Sequence, residues 1–171
     1  MKPLLPPGLS AGDFAAALAA FRKIVGADYV YTGDDLVSYA DPYSIIANDS
    51  LHSASAAVAP ASTEEVQAIV RAANQYRVPL WPVSGGKNFG YGGASPRMAG
   101  TVVLDLKRMN RILEVSEADG YALVEPGVSY FDLYAHIQAK GYKLWLDVPD
   151  PGWGSVIGNA LDHGVGYTPY G

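Results

Sequence analysis

Cysteine is absent from the 171-residue sequence, and this absence excludes several kinds of chemistry. Without thiols the chain cannot form a disulfide, a zinc–thiolate site, an iron–sulfur cluster or a cysteine nucleophile. Long hydrophobic runs are also missing. No stretch approaches the roughly 20 apolar residues of a membrane helix, and the first residues lack the apolar core of a secretory signal. We therefore expect no membrane association and a cytoplasmic location, with the periplasm as the alternative.

Clusters of positive charge are missing as well. The formal net charge is −5, and the Lys and Arg residues are spread along the chain, so we expect no nucleic-acid binding. The three histidines, His52, His136 and His163, share no metal-ligand spacing and no paired serine, and we predict neither a metal site nor a triad. Apolar residues make up 49% of the chain, which is enough for one compact globular unit.

The hydrophobic patterns predict both helices and strands. A short apolar run, a helical pattern and a second apolar run predict a parallel, right-handed strand–helix–strand unit over 56–83. The predicted elements are a helix from a cap at 10–13 to Gly26, irregular chain with short strands to about residue 53, strands over 56–59, 80–83 and 101–106, a helix from Ser62 to 78–79, a hairpin of 112–115 and 121–125, a helix from Ser129 to Ala139, a strand over 143–147 and a helix over 155–162.

The clearest local signal is a glycine-rich segment after a predicted buried strand. The segment Ser84–Gly93 has five glycines in ten residues. Because glycine lacks Cβ, the backbone can adopt positive φ and direct successive N–H groups at a pyrophosphate, while Lys87 adds positive charge. A tight connection without a ligand is the competing interpretation. The segment is not a Rossmann fingerprint, since no helix follows it, nor a P-loop, since Asn88 follows Lys87.

A second segment is suited to complete such a site. After the predicted strand over 143–147 and a Pro/Gly-rich turn, Ser155 begins a short helix with Gly158 and Asn159 on a small-residue face. Helix N-termini attract anions and acceptor atoms. The alternative is ordinary capping by Ser155, with Gly158 allowing close packing.

Taken together, several segments resemble the FAD-binding domain of the vanillyl-alcohol oxidase and 4-cresol dehydrogenase family. These segments are Val83–Arg97, Val103–Leu106, Ala122–Val128, Trp145–Asp150 and Gly158–Gly171. The resemblance covers about residues 54–171. The combined spacing of these segments is specific for the family, although each segment alone is a weak signal. It implies an α+β fold, a FAD-binding PCMH-type domain with two α/β subdomains, incomplete at the C-terminus. We expect an N-terminal helix and irregular segment over 1–53 and the N-terminal portion of the FAD-binding domain over 54–171.

The resemblance implies FAD as the cofactor, with its pyrophosphate wrapped by the glycine-rich segment and later segments lining the rest. The residues implied to bind FAD are Ser84, Gly85, Gly86, Lys87, Asn88, Phe89, Gly90, Pro126, Gly127, Pro149, Gly154, Ser155, Gly158, Asn159, Gly166 and Tyr167. The family usually has Arg where Lys87 stands, which keeps the charge but loses the bidentate guanidinium.

The activity that the resemblance implies is oxidation of para-substituted phenols. Hydride leaves the benzylic carbon of the phenolate for flavin N5, and either oxygen or a cytochrome c accepts the electrons. The resemblance gives Tyr91 a role in binding the phenolate oxygen and Asp150 a role as acid or base during attack of water. Without it, Tyr91 is interpreted as a surface residue and Asp150 as a turn former.

The length of the chain leaves two other interpretations open. Relatives continue past the last matching motif into a substrate cap domain, so we expect a fragment that is inactive alone. A non-catalytic flavin- or nucleotide-binding fragment is the first alternative, and a structural α/β module without a ligand is the second. Homo-oligomerisation is left open.

Overall fold

The structure, a computed structural model, describes residues 4–45, 50–88, 93–147, 152–164 and 166. Its regular elements are the helices α1 (Ala11–Val25), α2 (Thr63–Tyr76), α3 (Tyr130–Lys140) and α4 (Val156–Leu161) and the strands β1 (Val30–Tyr31), β2 (Ala56–Val58), β3 (Leu80–Val83), β4 (Val102–Asp105), β5 (Ile112–Ser116) and β6 (Tyr121–Val124). Two 3-10 helices, Ala27–Tyr29 and Gly33–Tyr39, flank β1. Among these described residues, no helix is long and apolar enough to cross a membrane.

Four strands form one mixed sheet in the order β1, β2, β4, β3. β2 and β3 run parallel to β4 and pair with its two edges, whereas β1 is antiparallel to β2. All of β4 is buried, as expected for a short apolar strand in the middle of a parallel sheet. The predicted strand–helix–strand unit is present as β2, α2 and β3.

Both long helices begin at the serines that the sequence pattern predicts. The Ser10 hydroxyl accepts a hydrogen bond from the Asp13 N–H at 3.1 Å, and the Ser62 hydroxyl accepts one from the Glu65 N–H at 3.2 Å. These bonds satisfy N–H groups that the first helical turn leaves without a backbone partner. α2 ends at Arg77, which adopts the left-handed conformation with φ of 57°.

The two faces of the sheet bury different clusters, because successive strand residues point to opposite sides. α1 and α2 cover one face. The members of that cluster with no exposed surface include Phe21, Val58, Ile69 and Val102. The buried members of the cluster on the other face are Tyr39, Ala54, Ala57, Val83, Ala94 and Val103. α1, β1 and Tyr39 precede residue 54, so the start of the chain packs into the same core as the segments that follow it.

A second apolar core lies among the β5–β6 hairpin, α3 and α4. Its buried members are Val124, Val128, Leu133 and Ile137. Two residues of α4, Val156 and Ile157, pack against it. α3 begins at a capping box formed by Ser129 and Asp132 and ends at Gly141, whose φ is 70°. The second core therefore attaches α4 to the hairpin.

The prediction of a strand over 143–147 is wrong. Residues 142–147 have no regular secondary structure, although exposed residues such as Lys143 and Trp145 alternate with half-buried Leu144 and Leu146. The two leucines pack on the second core, which explains the alternating pattern. A strand also needs a neighbouring backbone to pair with, and none of the ladders in the described part of the chain includes this segment.

Ile69 tests the packing of α2 on the sheet. It has no exposed surface, whereas its neighbour Val70 is 40% exposed. We expect Ile69→Ala to lower the free energy of unfolding by about 2–5 kcal/mol through lost burial and a cavity. Val70→Ala, the matched control on the same helix, should change it by no more than about 0.5 kcal/mol. Urea unfolding measures both, and equal losses would contradict the assigned packing.

Candidate functional site

The glycine-rich segment begins at the carboxyl end of β3. The last residue of β3, Val83, pairs with Asp105, the last residue of β4, so the segment leaves the edge where two parallel strands end. Ligands of parallel α/β sheets bind beyond this edge. The structure describes the start of the segment, 84–88, and its last residue, Gly93. The residues between them, Phe89, Gly90, Tyr91 and Gly92, lie outside the described residues.

The start of this segment lies against the first turn of α4. A Cβ atom added at Gly158 would stand 2.4 Å from Ser84 Oγ, and one added at Gly85 would stand 3.5 Å from the backbone N of Ser155. Side-chain carbons do not approach other atoms as closely as 2.4 Å, so glycine at 158 is what allows Ser84 to reach the helix. The two segments that the sequence pattern predicts as halves of one site are thus adjacent.

The backbone of the segment offers hydrogen-bond donors. Gly86 has a φ of 66°, and a Cβ atom there would stand 3.1 Å from Ala94 Cβ. The N–H groups of Gly85, Gly86 and Lys87 donate no hydrogen bond to another residue that the structure describes. Consecutive unpaired N–H groups in a turn with positive φ form an anion-binding concavity. The segment therefore fits a pyrophosphate group.

A side-chain hydrogen bond joins the segment to the far end of α4. Asn88 Nδ2 donates to Asp162 Oδ2 at 2.8 Å, and Asp162 is the residue that caps the carboxyl end of α4. With Ser84 at the first turn, the segment contacts both ends of the helix. Sequence reasoning did not select Asp162, because it lies 74 residues from its partner and carries no local motif.

Ser155 uses its hydroxyl within the protein. Its Oγ donates to the carbonyl of Pro126 at 2.6 Å and accepts from the N–H of Gly158 at 3.0 Å. The next residue, Val156, donates its N–H to the carbonyl of Val128 at 3.1 Å. Capping, the alternative interpretation of Ser155, is thus the geometry present, and the same hydroxyl ties α4 to 126–128.

Gly127 packs against the turn that follows β4. Its N–H donates to the Met109 carbonyl at 2.7 Å, and an added Cβ atom would stand 2.5 Å from the Lys107 carbonyl oxygen. The N–H of Gly127 is therefore occupied by the protein, and the absence of a side chain serves close packing. This contact joins the second core to the end of β4.

Two further predicted cofactor residues, Gly154 and Asn159, contact the first residue of α3, and Gly166 lies against Asp147. The Gly154 carbonyl accepts from the N–H of Tyr130 at 3.1 Å, and Asn159 Nδ2 donates to Tyr130 Oη at 3.0 Å. A Cβ atom added at Gly166 would stand 2.0 Å from Asp147 Oδ2. Three further predicted residues, Pro149, Asp150 and Tyr167, lie outside the described residues, as do Phe89, Gly90 and Tyr91. The two predicted catalytic residues, Tyr91 and Asp150, stay predictions.

An ion pair anchors the segment that leads to Pro126. The Arg111 guanidinium donates to Glu125 Oε1 at 2.6 Å through Nη2 and at 3.0 Å through Nε, and the Arg111 N–H donates to Oε2 at 2.8 Å. The hydrogen bonds from this side chain hold the pKa of Glu125 below its ordinary value of 4.5. The same bonds raise the pKa of Arg111.

The fold is that of an α+β domain with a glycine-rich turn after a parallel strand and a short helix packed on it, an arrangement that fits a nucleotide cofactor. A family model described as a FAD binding domain matches residues 54–171. The chain belongs to this FAD-binding family. The match confirms FAD as the cofactor that the sequence resemblance implies.

Individual relatives are similar over nearly the whole chain. The 4-cresol dehydrogenase [hydroxylating] flavoprotein subunit of Pseudomonas putida is 41% identical over 170 residues, which are 98% of this chain and 32% of that protein. The 1'-carboxy-chondrochloren decarboxylase of Chondromyces crocatus is 42% identical over 154 residues, which are 88% of this chain and 27% of that protein. The chain thus spans between 27% and 32% of the length of these relatives.

Solved structures give the same result for the fold. The crystal structure of p-cresol methylhydroxylase with substrate bound matches with a TM-score of 0.94 and 41% identity, over 98% of this chain and 33% of that one. The 4-ethylphenol oxidase from Gulosibacter chungangensis matches with a TM-score of 0.93 and 48% identity, over 97% and 32%. The resemblance and the α+β PCMH-type fold inferred from the sequence are confirmed.

Gly127 tests the junction between the second core and β4. Because a Cβ atom at 127 would stand 2.5–2.9 Å from three backbone carbonyl oxygens, we expect Gly127→Ala to lower the free energy of unfolding by about 1–3 kcal/mol. Gly154→Ala is the matched control, since an added Cβ atom there meets nothing within 4 Å. Urea unfolding measures both variants, and a Gly127→Ala variant as stable as the control would refute the contact.

The Arg111–Glu125 pair predicts a pH dependence of stability. Since folding lowers the pKa of Glu125, its ionised form stabilises the protein above pH 4.5, and this contribution is lost as the pH falls through the folded-state pKa. We expect Arg111→Gln to be less stable than wild type at neutral pH, with a difference that shrinks below pH 4.5.

Urea unfolding at several pH values measures this difference. The exposed Arg71 on α2 provides the control variant Arg71→Gln. The difference in free energy of unfolding between this variant and wild type should not change as Glu125 becomes protonated. A difference between Arg111→Gln and wild type that stays constant across the acid range contradicts the role of Glu125.

Proposed function

We propose that the segment 84–88 and α4 hold the pyrophosphate of FAD between them. The observation that carries this proposal is the close approach of Ser84 and Gly85 to the first turn of α4, beside three backbone N–H groups that have no partner among the described residues. Lys87 adds a positive charge to a site for a group that carries negative charge. Asn88 and Asp162 close the far side of the segment against the helix.

We propose that the protein is a flavin-dependent oxidoreductase that oxidises para-substituted phenols. The similarity to the 4-cresol dehydrogenase flavoprotein subunit and to the 4-ethylphenol oxidase supports this activity. When bound, FAD supplies a flavin N5 atom that accepts hydride from the benzylic carbon of the substrate. Oxygen or a cytochrome c is the proposed electron acceptor, and the cytoplasm is the proposed location.

The proposed roles of the chain's own residues in this reaction follow from the family resemblance. The Tyr91 hydroxyl donates a hydrogen bond to the phenolate oxygen and stabilises its negative charge. The Asp150 carboxylate accepts a proton from water as it attacks the oxidised substrate. Along the sequence both residues are close to the proposed cofactor site, since Tyr91 is part of the glycine-rich segment and Asp150 precedes α4 by six residues.

A second candidate is flavin binding without turnover. The observation that favours it is that the chain spans about a third of the proteins it matches. Anaerobic mixing of the FAD-loaded protein with 4-cresol or 4-ethylphenol discriminates between the two functions. Bleaching of the flavin absorption by either phenol supports the oxidoreductase, whereas a protein that binds FAD and is never reduced by these phenols supports the second candidate.

Gly86 tests the proposed pyrophosphate site. Gly86 and Gly120 have nearly the same φ, 66° and 67°, so alanine causes similar backbone strain at both positions. An alanine at 86 also crowds Ala94 and Val83, whereas one at 120 meets nothing within 4 Å. We expect Gly86→Ala to weaken FAD binding at least about tenfold, and Gly120→Ala to leave the Kd unchanged.

Titration by flavin fluorescence gives the Kd of each variant, and a rise of Tm with FAD concentration in the wild type checks that binding is specific to the folded state. Equal Kd values for Gly86→Ala and wild type would place the pyrophosphate elsewhere.

A further inference from the structure

The buried residues Tyr39 and Asp105 and the half-exposed Lys107 form a polar cluster next to the carboxyl end of β3, where the glycine-rich segment begins. Tyr39 and Asp105 are 4% and 3% exposed, and Tyr39 Oη donates to Asp105 Oδ2 at 2.7 Å. The Lys107 N–H donates to Oδ1 at 3.0 Å, and Lys107 Nζ stands 3.1 Å from Oδ2. Both carboxylate oxygens are thus held by donors, as a buried charge requires.

The hydroxyl of Tyr39 acts as a permanent donor in this cluster. Burial, together with the hydrogen bond to Asp105, raises its pKa well above the ordinary value for tyrosine. Lys107 also stands over the Tyr39 ring, with Nζ 5.4 Å from the ring centroid. Among the described residues, removing the hydroxyl would leave Asp105 Oδ2 with Nζ of the half-exposed Lys107 side chain as its one remaining partner.

The ring of Tyr39 belongs to the buried cluster that contains both ends of the glycine-rich segment. Val83 immediately precedes this segment, Ala94 immediately follows it, and both share that cluster with Tyr39. Asp105 pairs with Val83 in the sheet. The Tyr39–Asp105 hydrogen bond therefore connects the packing of the segment's two ends to the end of β4.

The polar cluster is also connected to α4 through the turn after β4 and through 126–127. The hydrogen bond from the Lys107 N–H to Asp105 begins the turn after β4, and the carbonyl of Lys107 lies against Gly127. Pro126, next to Gly127, accepts the hydrogen bond of Ser155 at the start of α4. The polar cluster thus contacts residues that support both halves of the proposed site.

We propose that the Tyr39–Asp105 hydrogen bond positions the segment 84–88 relative to α4, so that the N–H groups of Gly85, Gly86 and Lys87 point to the cofactor pyrophosphate. This inference rests on the proposed FAD site. Tyr39 is a positioning residue, and it lies outside residues 54–171, the part of the chain that the family model matches. The cofactor site is therefore supported by a residue from the start of the chain, 66 residues from its partner.

The test compares Tyr39→Phe with Tyr31→Phe. The Tyr31 ring lies 6.1 Å from the Tyr39 ring, yet its hydroxyl is not among the groups that hold Asp105 in the described part of the chain. Both substitutions remove one oxygen atom. We expect Tyr39→Phe to weaken FAD binding about tenfold, the effect of losing a hydrogen bond to a charged group, and to change the circular dichroism of bound flavin. Tyr31→Phe should keep the wild-type Kd and spectrum.

The second variant, Asp105→Asn, keeps the size of the side chain and an acceptor for the Lys107 N–H. Asp105→Asn should also weaken FAD binding. If Tyr39→Phe does not fold, the Kd of Asp105→Asn decides whether the Tyr39–Asp105 hydrogen bond affects the cofactor site. A lower Tm with an unchanged Kd and an unchanged flavin spectrum in these variants would mean a merely structural role and would overturn the proposal. If wild type and Tyr31→Phe both fail to bind FAD, the proposed function itself is wrong and this inference falls with it.

Discussion

Strand β4 is the element on which the rest of the structure depends. It pairs in parallel with β2 on one side and with β3 on the other, and all of its residues are buried. Its apolar side chains alternate between the two faces, so the same four residues support the α1–α2 layer and the smaller cluster around Tyr39. Its last residue, Asp105, carries a buried carboxylate that requires hydrogen-bond donors. One of these donors is the N–H of Lys107, in the turn that follows β4.

Backbone contacts join the two cores. Gly127 approaches the carbonyl groups after β4 too closely for any side chain, and Ser155 ties α4 to the neighbouring Pro126. On the opposite side, Ser84 reaches α4 because Gly158 leaves room for it. Glycine at these positions is therefore explained by close approach between segments, in addition to the positive φ that Gly86 requires.

This arrangement explains how a short helix and a turn can serve a dinucleotide cofactor without a Rossmann fingerprint. In the Rossmann case one helix both follows the glycine-rich turn and receives the pyrophosphate. In the proposed site the helix is α4, which begins 63 residues after the end of the glycine-rich segment and reaches the turn through the second core. The proposed site therefore depends on the correct docking of the second core, and the Asn88–Asp162 hydrogen bond links the turn directly to α4.

Local patterns in the sequence determined the helices with their serine caps, the strands β2 to β6, the glycine-rich turn and, through its combined motifs, the family. These signals are readable because capping, helical periodicity and turn chemistry act between residues no more than a few positions apart. The strand over 143–147 shows the limit of such patterns, since alternation reports which side chains are buried, whereas a strand also requires a partner backbone. Only the tertiary structure decided that Ser155 ties α4 to Pro126, that Gly127 packs on the turn after β4, and that Tyr39 bonds Asp105 and Asp162 bonds Asn88. Their partners lie far away along the chain, and a hydrogen bond between distant residues leaves no periodic trace in the sequence.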